Sequence, residues 1–523
     1  MEISSQTFLF AAALLLPFSW LLLHFMSGSA SSKQNISNGR RRRIPIPSPP
    51  GRPITGHLHL LKKPLHRSLA ALARRHDVGG TGLLRLRFGA RPVVLVSSPA
   101  IADECFTVHD GALADRPSLA SRRLLTGDDC PSISTASYGP LWRRLRRLAV
   151  VHALCAHRLA ATAAARDAEA RAMAAKLWRA AAGGPREVSV KAVAYEFVVN
   201  VIMAMVAGER MPEEKVVQFK EMTEAGFAAA GAANRQDFLP ALRLLDVFGK
   251  TRKKLAGLAK VRHQFGQSIV DDYRRRRHRS RNAAAEEPRT VIGDLLREQE
   301  RSPESLDDVV IRTVCLSLLQ AGTDTSSCTI EWAMALLLNN MTVLTKATAE
   351  IDSIVGTFRL LLESDLADLP YLHCIITETL RLYPLTPHLV PHEASHDCEL
   401  STGHVIERGT MVLVDVYSMQ RNPDIWDDPK KFLPERFMGA KKDGDSRWMM
   451  PFGMGRRKCP GEGLALRTVG MALGVLIQCF DWERIHKEEV DMSEGSGLTM
   501  PMAVPLVAMC RPRVEMDKIL SML

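Results

Sequence analysis

The chain has 523 residues, a formal net charge of +12 and a 46% hydrophobic, 6% aromatic composition, enough to bury a large core and far from that of a disordered chain. Its 10 cysteines form no C-x-x-C pair, which disfavours a zinc site or a disulfide scaffold and fits a reducing compartment. The basic excess lacks aromatic interleaving and any nucleic-acid module, so no nucleic acid is expected as a partner.

In chain order, Phe8–Met26 is a 19-residue apolar stretch broken by Pro17, Ser19 and His24 but by no formal charge, long enough to span a hydrocarbon core. A cleaved secretory signal is the alternative. Against it, no basic segment precedes the run, whereas Lys33 and Arg40–Arg43 follow it, an order that leaves the C-terminal body in the cytosol. Residues 1–30 are therefore assigned as a membrane anchor, 31–56 as a basic, proline-rich hinge around Ile44–Pro53, and 57–523 as one catalytic body. Thr81–Phe88 and Arg91–Ser97 read as strands of a small sheet near the membrane side. Alanine-, leucine- and arginine-rich runs of helical period dominate elsewhere, so the fold is expected to be mainly α with a small β region.

Trp142 and Arg146 stand four apart in Trp142–Arg147 and on a helix would reach one ligand edge together; a basic surface helix with one buried tryptophan is the alternative. The run Arg274–Arg277 with Arg279 and Arg281 reads as a solvated loop extending to Pro288. A long apolar helix, about Val309 to Leu338, is interrupted by Ala321-Gly322-Thr323-Asp324-Thr325-Ser326-Ser327. Such residues cost helix stability, and a folding rule broken inside a core helix marks function. Gly322 leaves open space beside the helix, the Thr325 hydroxyl can both donate to and accept from a held water, and Asp324 can link that water to bulk protons. Glu378 and Arg381 are at i, i+3 on a helix ending before Pro384. Their apolar neighbours favour a buried pair that needs a further partner, which Arg436 could supply; an ordinary exposed ion pair is the alternative.

Near the C-terminus comes Phe452-Gly453-Met454-Gly455-Arg456-Arg457-Lys458-Cys459-Pro460-Gly461, followed by the helix-period run Leu464–Met471. At a helix mouth a cysteine thiolate is favoured by exposed N–H groups, and such a thiolate can ligate haem iron. A buried, inert cysteine is the plain alternative. The loop resembles the haem-binding loop of the cytochrome P-450 monooxygenases, matching F-G-x-G-x-R-x-C-x-G at every fixed position. The W-x-x-x-R, A-G-x-D-T-S, E-x-x-R and P-E-R-F elements match that family's other motifs in the same order.

The resemblance implies the cytochrome P-450 fold behind one transmembrane helix, with haem b (iron protoporphyrin IX) ligated through its iron by Cys459. Phe452, Gly461 and Gly322 would line the cofactor, while Trp142, Arg146, Arg457 and His392 would meet its propionates. Asp324 and Thr325 would be catalytic, and Glu378, Arg381 and Arg436 a structural lock. Electrons would come from NADPH through a separate NADPH-cytochrome reductase, with cytochrome b5 as an optional second partner. A separate reductase is also called for because no G-x-G-x-x-G unit or flavin domain is evident in the chain.

Ala149-Val150 with Ala156-His157-Arg158, Pro391–Ala394 and Leu498–Pro501 look like the plant microsomal subfamily containing isoflavone 2'-hydroxylases and herbicide-oxidising members. Two stretches depart from the pattern. Asn339–Val343 stands where a His-Pro turn is usual, and Asp129–Ile133 lies in a region that shapes the substrate pocket. The expected function is hydroxylation of a lipophilic aromatic molecule, flavonoid- or isoflavonoid-like or a herbicide, on the cytosolic face of the endoplasmic reticulum membrane. The competing readings are a haem-thiolate isomerase or dehydratase of oxygenated lipids, against which Asp324 and Thr325 stand, and a non-catalytic haem-binding protein.

The topology carries its own reporters, because Asn35-Ile36-Ser37 and Asn340-Met341-Thr342 fit the glycosylation pattern. Neither asparagine should carry sugar, and protease added to sealed microsomes should digest all but a short N-terminal fragment. Glycosylated, protease-resistant protein would place the body in the lumen.

Overall fold

A computed structural model describes residues 44–523 apart from 78, 127–131, 182, 230–234, 245, 247–248, 283–288, 305, 440–447 and 498. The anchor Phe8–Met26, Arg40–Arg43 and the first part of the Asp129–Ile133 stretch lie outside the described residues. Among the described residues the helices that build the site are α1 (Pro99–Thr107), α2 (Pro140–Ala149), α3 (Val190–Ala207), α4 (Glu213–Ala229) and α5 (Lys250–Asn282), then α6 (Asp308–Asn339), α7 (Met341–Ile354), α8 (Pro370–Leu382) and α9 (Glu462–Cys479).

The central helices follow from their sequences. α3 is apolar nearly all round, so it is buried, and it ends at Gly208, whose φ of 73° suits a residue without a Cβ. α6 starts behind Asp307, whose carboxylate accepts the Val310 N–H at 2.8 Å. It stops where Asn340 leaves helical geometry and returns its side-chain amide to the Leu336 carbonyl at 2.8 Å. Asn339 clamps Val490 through both its amide oxygen and its amide nitrogen, so two asparagines form the corner into α7. α3 and α9 are long and apolar enough to cross a membrane, yet both are mostly buried inside the protein as core helices. One large apolar cluster joins α3, α6, α8 and α9.

Beside a two-stranded pair, Cys398–Glu399 with Val405–Ile406, two larger sheets flank this core. Strands β1 (Leu83–Phe88), β2 (Arg91–Val96), β4 (His392–Glu393) and β5 (Met411–Val414) form one in the order β1-β2-β5-β4, with only the β2–β5 pair parallel. In the other, β7 (Val507–Pro512) lies between β3 (Arg186–Ser189) and β6 (Phe480–Arg484). The mainly α reading with a small β region describes this architecture, and both strands expected between residues 81 and 97 are present.

One stretch differs from its sequence reading. Arg274–Arg277 are not a loop: they are helical within α5 and paired, Arg274 with Asp308 at 2.6 Å and Arg277 with Glu300 at 2.7 Å. Long-range acidic partners turn the run into one side of a helix interface. The proline-rich stretch Ile44–Pro53 lies along the body: Arg85 donates its N–H to the Pro47 carbonyl at 2.7 Å, and His57 Nε2 donates to the Pro49 carbonyl at 2.8 Å.

Glu378 and Arg381 are fully buried on α8 and meet through two hydrogen bonds, at 2.6 and 2.8 Å. Arg436 adds its Nε–H to Glu378 at 3.1 Å. The remaining guanidinium hydrogens of Arg381 go to the carbonyls of Gln420, Pro429 and Lys431. Buried Gln420 then extends the network, donating its amide to the Leu380 and Arg381 carbonyls and accepting the Met450 N–H at 3.1 Å. Met450 begins the segment that carries Cys459. Arg381→Ala would strand a buried carboxylate, so it should cost about 3–5 kcal/mol in an unfolding measurement. A loss below about 1 kcal/mol, the value of an exposed pair, would contradict the network.

Candidate active site

The cysteine segment is held from three sides. The Cys459 N–H donates to the Phe452 carbonyl at 2.8 Å, so Phe452 contributes a backbone anchor as well as its half-buried ring. Gly455 has φ of 64°, and a Cβ there would lie 2.4 Å from Asp110 Oδ1, so only glycine lets Asp110 approach. Asp110 in turn accepts the Arg456 backbone N–H and its Nε–H, both at 2.9 Å. Behind the loop Gly461 caps α9.

Cys459 is solvent-accessible, whereas the other described cysteines are buried or half-buried. Its thiol nevertheless sits among dense protein. Burial pushes its pKa up, while the Gly461 and Glu462 N–H groups and the Arg146 charge pull it down. A metal ion on the sulfur would add to that downward pull. A Cβ on Gly461 would meet Sγ at 3.8 Å, an ordinary contact, so the described contribution of Gly461 is its N–H.

A positive cradle adjoins this cysteine. Trp142 is buried, its indole N–H donating to the Ile133 carbonyl at 3.1 Å; Arg457 stacks over its ring at 4.4 Å and Arg146 at 5.4 Å. Arg457 donates to the Ala114 and Ala136 carbonyls, each at 2.7 Å. Arg116, which the sequence reading missed, donates to the Val390 and Pro391 carbonyls at 2.6 and 3.0 Å and is almost wholly buried. Among the described residues none of these three guanidiniums forms an ion pair with a carboxylate. Burial and the Arg457 charge push the Arg116 pKa well down; burial, with Arg146 beside it, lowers that of Arg457 to about 10. Clustered cations without an ion-pair partner among the described residues, with only the more distant Asp115 charge acting on Arg457, fit a ligand that brings carboxylates, as haem does with its two propionates.

His392 holds its Nδ1–H on the Leu113 carbonyl at 2.6 Å. Burial and the charges of Arg116 and Arg457 push its pKa down to about 3, and an anionic ligand edge beside those cations would pull it back up.

On α6 the Thr325 hydroxyl donates to the Ala321 carbonyl at 2.7 Å. Asp324 accepts the Thr499 hydroxyl at 2.9 Å and faces the Cys328 thiol at 3.8 Å. Ala321 is exposed in the middle of a helix that is otherwise largely buried. A Cβ on Gly322 would also come within 2.7 Å of the Ile202 Cδ1 of α3. Gly322 therefore permits close helix packing, and Ala321 keeps the accessible face small.

The family model described as Cytochrome P450 matches residues 46–507. The chain is 40% identical to the (+)-piperitol/(+)-sesamin synthase of Sesamum radiatum, over 97% of each chain. It is 40% identical to the isoflavone 3'-hydroxylase of Medicago truncatula, over 91% of this chain and 94% of the relative. The isoflavone 2'-hydroxylase of Glycyrrhiza echinata is 37% identical over 90% of this chain and 93% of its own.

Arg116→Leu should lower haem retention by about tenfold, the equivalent of one charge-assisted hydrogen bond, measured as haem per purified chain under dilution. Unchanged retention would remove Arg116 from the cofactor site.

Proposed function

This chain belongs to the cytochrome P450 family, and from that premise we propose that it hydroxylates a lipophilic aromatic molecule of the isoflavone or related polyphenol type while anchored in the endoplasmic reticulum membrane by residues 1–30. It is a monooxygenase using haem b and electrons delivered from NADPH by a reductase. The observation that carries the site assignment is the accessible Cys459 at a helix mouth beside guanidiniums with no carboxylate of their own. The substrate class rests on the named hydroxylases above; the anchor rests on Phe8–Met26 and the basic run behind it.

Bound haem supplies dioxygen activation. The chain supplies the rest. Cys459 would hold the iron, with the Gly461 and Glu462 N–H groups offsetting part of the upward push that burial and the Glu462 charge give its pKa. Arg116, Arg146 and Arg457 would orient the propionate edge, and the packed indole of Trp142 holds two of those cations in place. Ala321 leaves space above α6. Thr325 releases or keeps its bond to the Ala321 carbonyl as it holds water, and Asp324 exchanges protons with that water. The lock acts through Gln420 by keeping the cysteine segment in register.

With reductase, NADPH and isotopically heavy dioxygen, a panel of isoflavones, lignans, fatty-acid hydroperoxides and herbicides should yield an aromatic product carrying one heavy oxygen. Unlabelled rearrangement of a hydroperoxide without reductant would favour the isomerase reading instead. Thr325→Val keeps the side-chain shape but not the hydroxyl. It should keep haem content while the product formed per NADPH falls on the order of tenfold and hydrogen peroxide rises. Unchanged coupling would remove Thr325 from the mechanism.

A further inference from the structure

None of the chemistry above uses the turn that ends α2. The chain leaves α2 through a π turn, Val150–Leu154, and the Val150 N–H reaches back to the Arg146 and Arg147 carbonyls. Single π turns beside α-helices are frequent at functional sites. This turn and the short helix Ala156–Ala161 behind it meet the helix Val291–Arg301 around a cavity of about 440 Å³. Four arginines line the cavity against two carboxylates, Asp294 and Glu298.

Local pairing neutralises both carboxylates. Asp294 Oδ2 is 3.0 Å from Arg158 Nη2, and its Oδ1 accepts from Arg297, three residues along the same helix. His152 stands between the two acids, with Nε2 3.2 Å from Glu298 and Nδ1 3.8 Å from Asp294. Positive groups are left over. Arg158 is buried, and its Nε and Nη2 donate to the His152 and Arg289 carbonyls at 3.0 and 3.3 Å. Its Nη1 has no hydrogen-bond partner among the described residues. Arg289 and Arg301 line the same cavity, are exposed, and form no ion pair among the described residues.

A buried guanidinium below two exposed ones makes a concave site, where a flat partner surface would meet the exposed pair and miss Arg158. A compact ligand can reach all three. Planar guanidinium forks match oxyanions, and two surplus positive charges call for a ligand carrying at least two negative ones. We propose that this cavity binds a phosphate-bearing anion, with Arg289 and Arg301 on its outer oxygens and Arg158 Nη1 on an inner one. The site stands apart from the haem chemistry. Because the π turn continues α2, which carries Trp142 and Arg146, a bound anion would also brace that helix. The phosphoryl group can come from a soluble anion or from a lipid headgroup.

The haem-loaded full chain in phosphatidylcholine nanodiscs, titrated calorimetrically with pyrophosphate at about 0.15 M salt, tests this. One saturable site per chain is expected, together with a raised melting midpoint. Arg289→Gln and Arg301→Gln should each weaken binding on the order of tenfold. Both side chains are exposed, so the unliganded variants should keep the wild-type haem spectrum and midpoint. Arg171→Gln removes an exposed arginine from the helix Ala163–Ala180 and should leave affinity within about twofold. Discs containing phosphatidate separate the two sources: weakened pyrophosphate binding there marks a lipid headgroup as competitor, unchanged binding a soluble anion, and both results uphold the site. Absence of saturable binding, or equal weakening by Arg171→Gln, would overturn it, since only diffuse net charge would then be acting. Reduced reductase-supported turnover in Arg289→Gln and Arg301→Gln, without pyrophosphate binding by the wild type, would assign the cavity to an acidic protein and overturn the proposal too.

Discussion

One buried carboxylate sets the geometry on which the rest depends. Glu378 is inaccessible to solvent and is shared between Arg381 and Arg436, while the Leu433 N–H completes its oxygen shell at 3.0 Å. Taking such a pair out of water is expensive, and it persists only where nearly every donor and acceptor is matched. That demand organises the surrounding chain. The carbonyls of Gln420, Pro429 and Lys431 must turn toward Arg381, fixing the path of the irregular stretch before Pro434. Gln420 passes the constraint on to Met450, and a chain held there reaches Cys459 with little freedom left.

The cysteine needs that rigidity because its surroundings pull in opposite directions. Dense packing disfavours a thiolate, while the opening turn of α9 and Arg146 favour it. The balance depends on placing sulfur within reach of the Gly461 and Glu462 N–H groups. The guanidinium cradle has the same character. Arg116 and Arg457 oppose each other's charge in a buried place and form no ion pair among the described residues, so an anionic ligand edge is favoured there. Stability is given up where binding later recovers it.

What could be read from sequence was local. The thiolate loop, the broken apolar helix and the Glu378–Arg381 spacing lie within single turns of chain, where residue type and interval dictate who can meet whom. Partners distant in sequence were hidden. Arg116 is 341 residues before Arg457, and nothing near it in the chain marks it as buried; Gln420 looked like any polar residue between motifs. Where the local reading failed, a long-range contact decided: Asp308 and Glu300 draw Arg274 and Arg277 into a helix interface.

On the proposed assignment all of these arrangements converge on one bond, the one the Cys459 sulfur would make to haem iron. Its most direct test is the absorption spectrum of the reduced, carbon monoxide-bound protein. An anionic sulfur ligand should give the strongly red-shifted Soret band, and Cys459→His should abolish it while leaving some haem bound. A thiolate-type spectrum that survives loss of Cys459 would mean that another cysteine holds the metal, and the site described around α9 would be the wrong one.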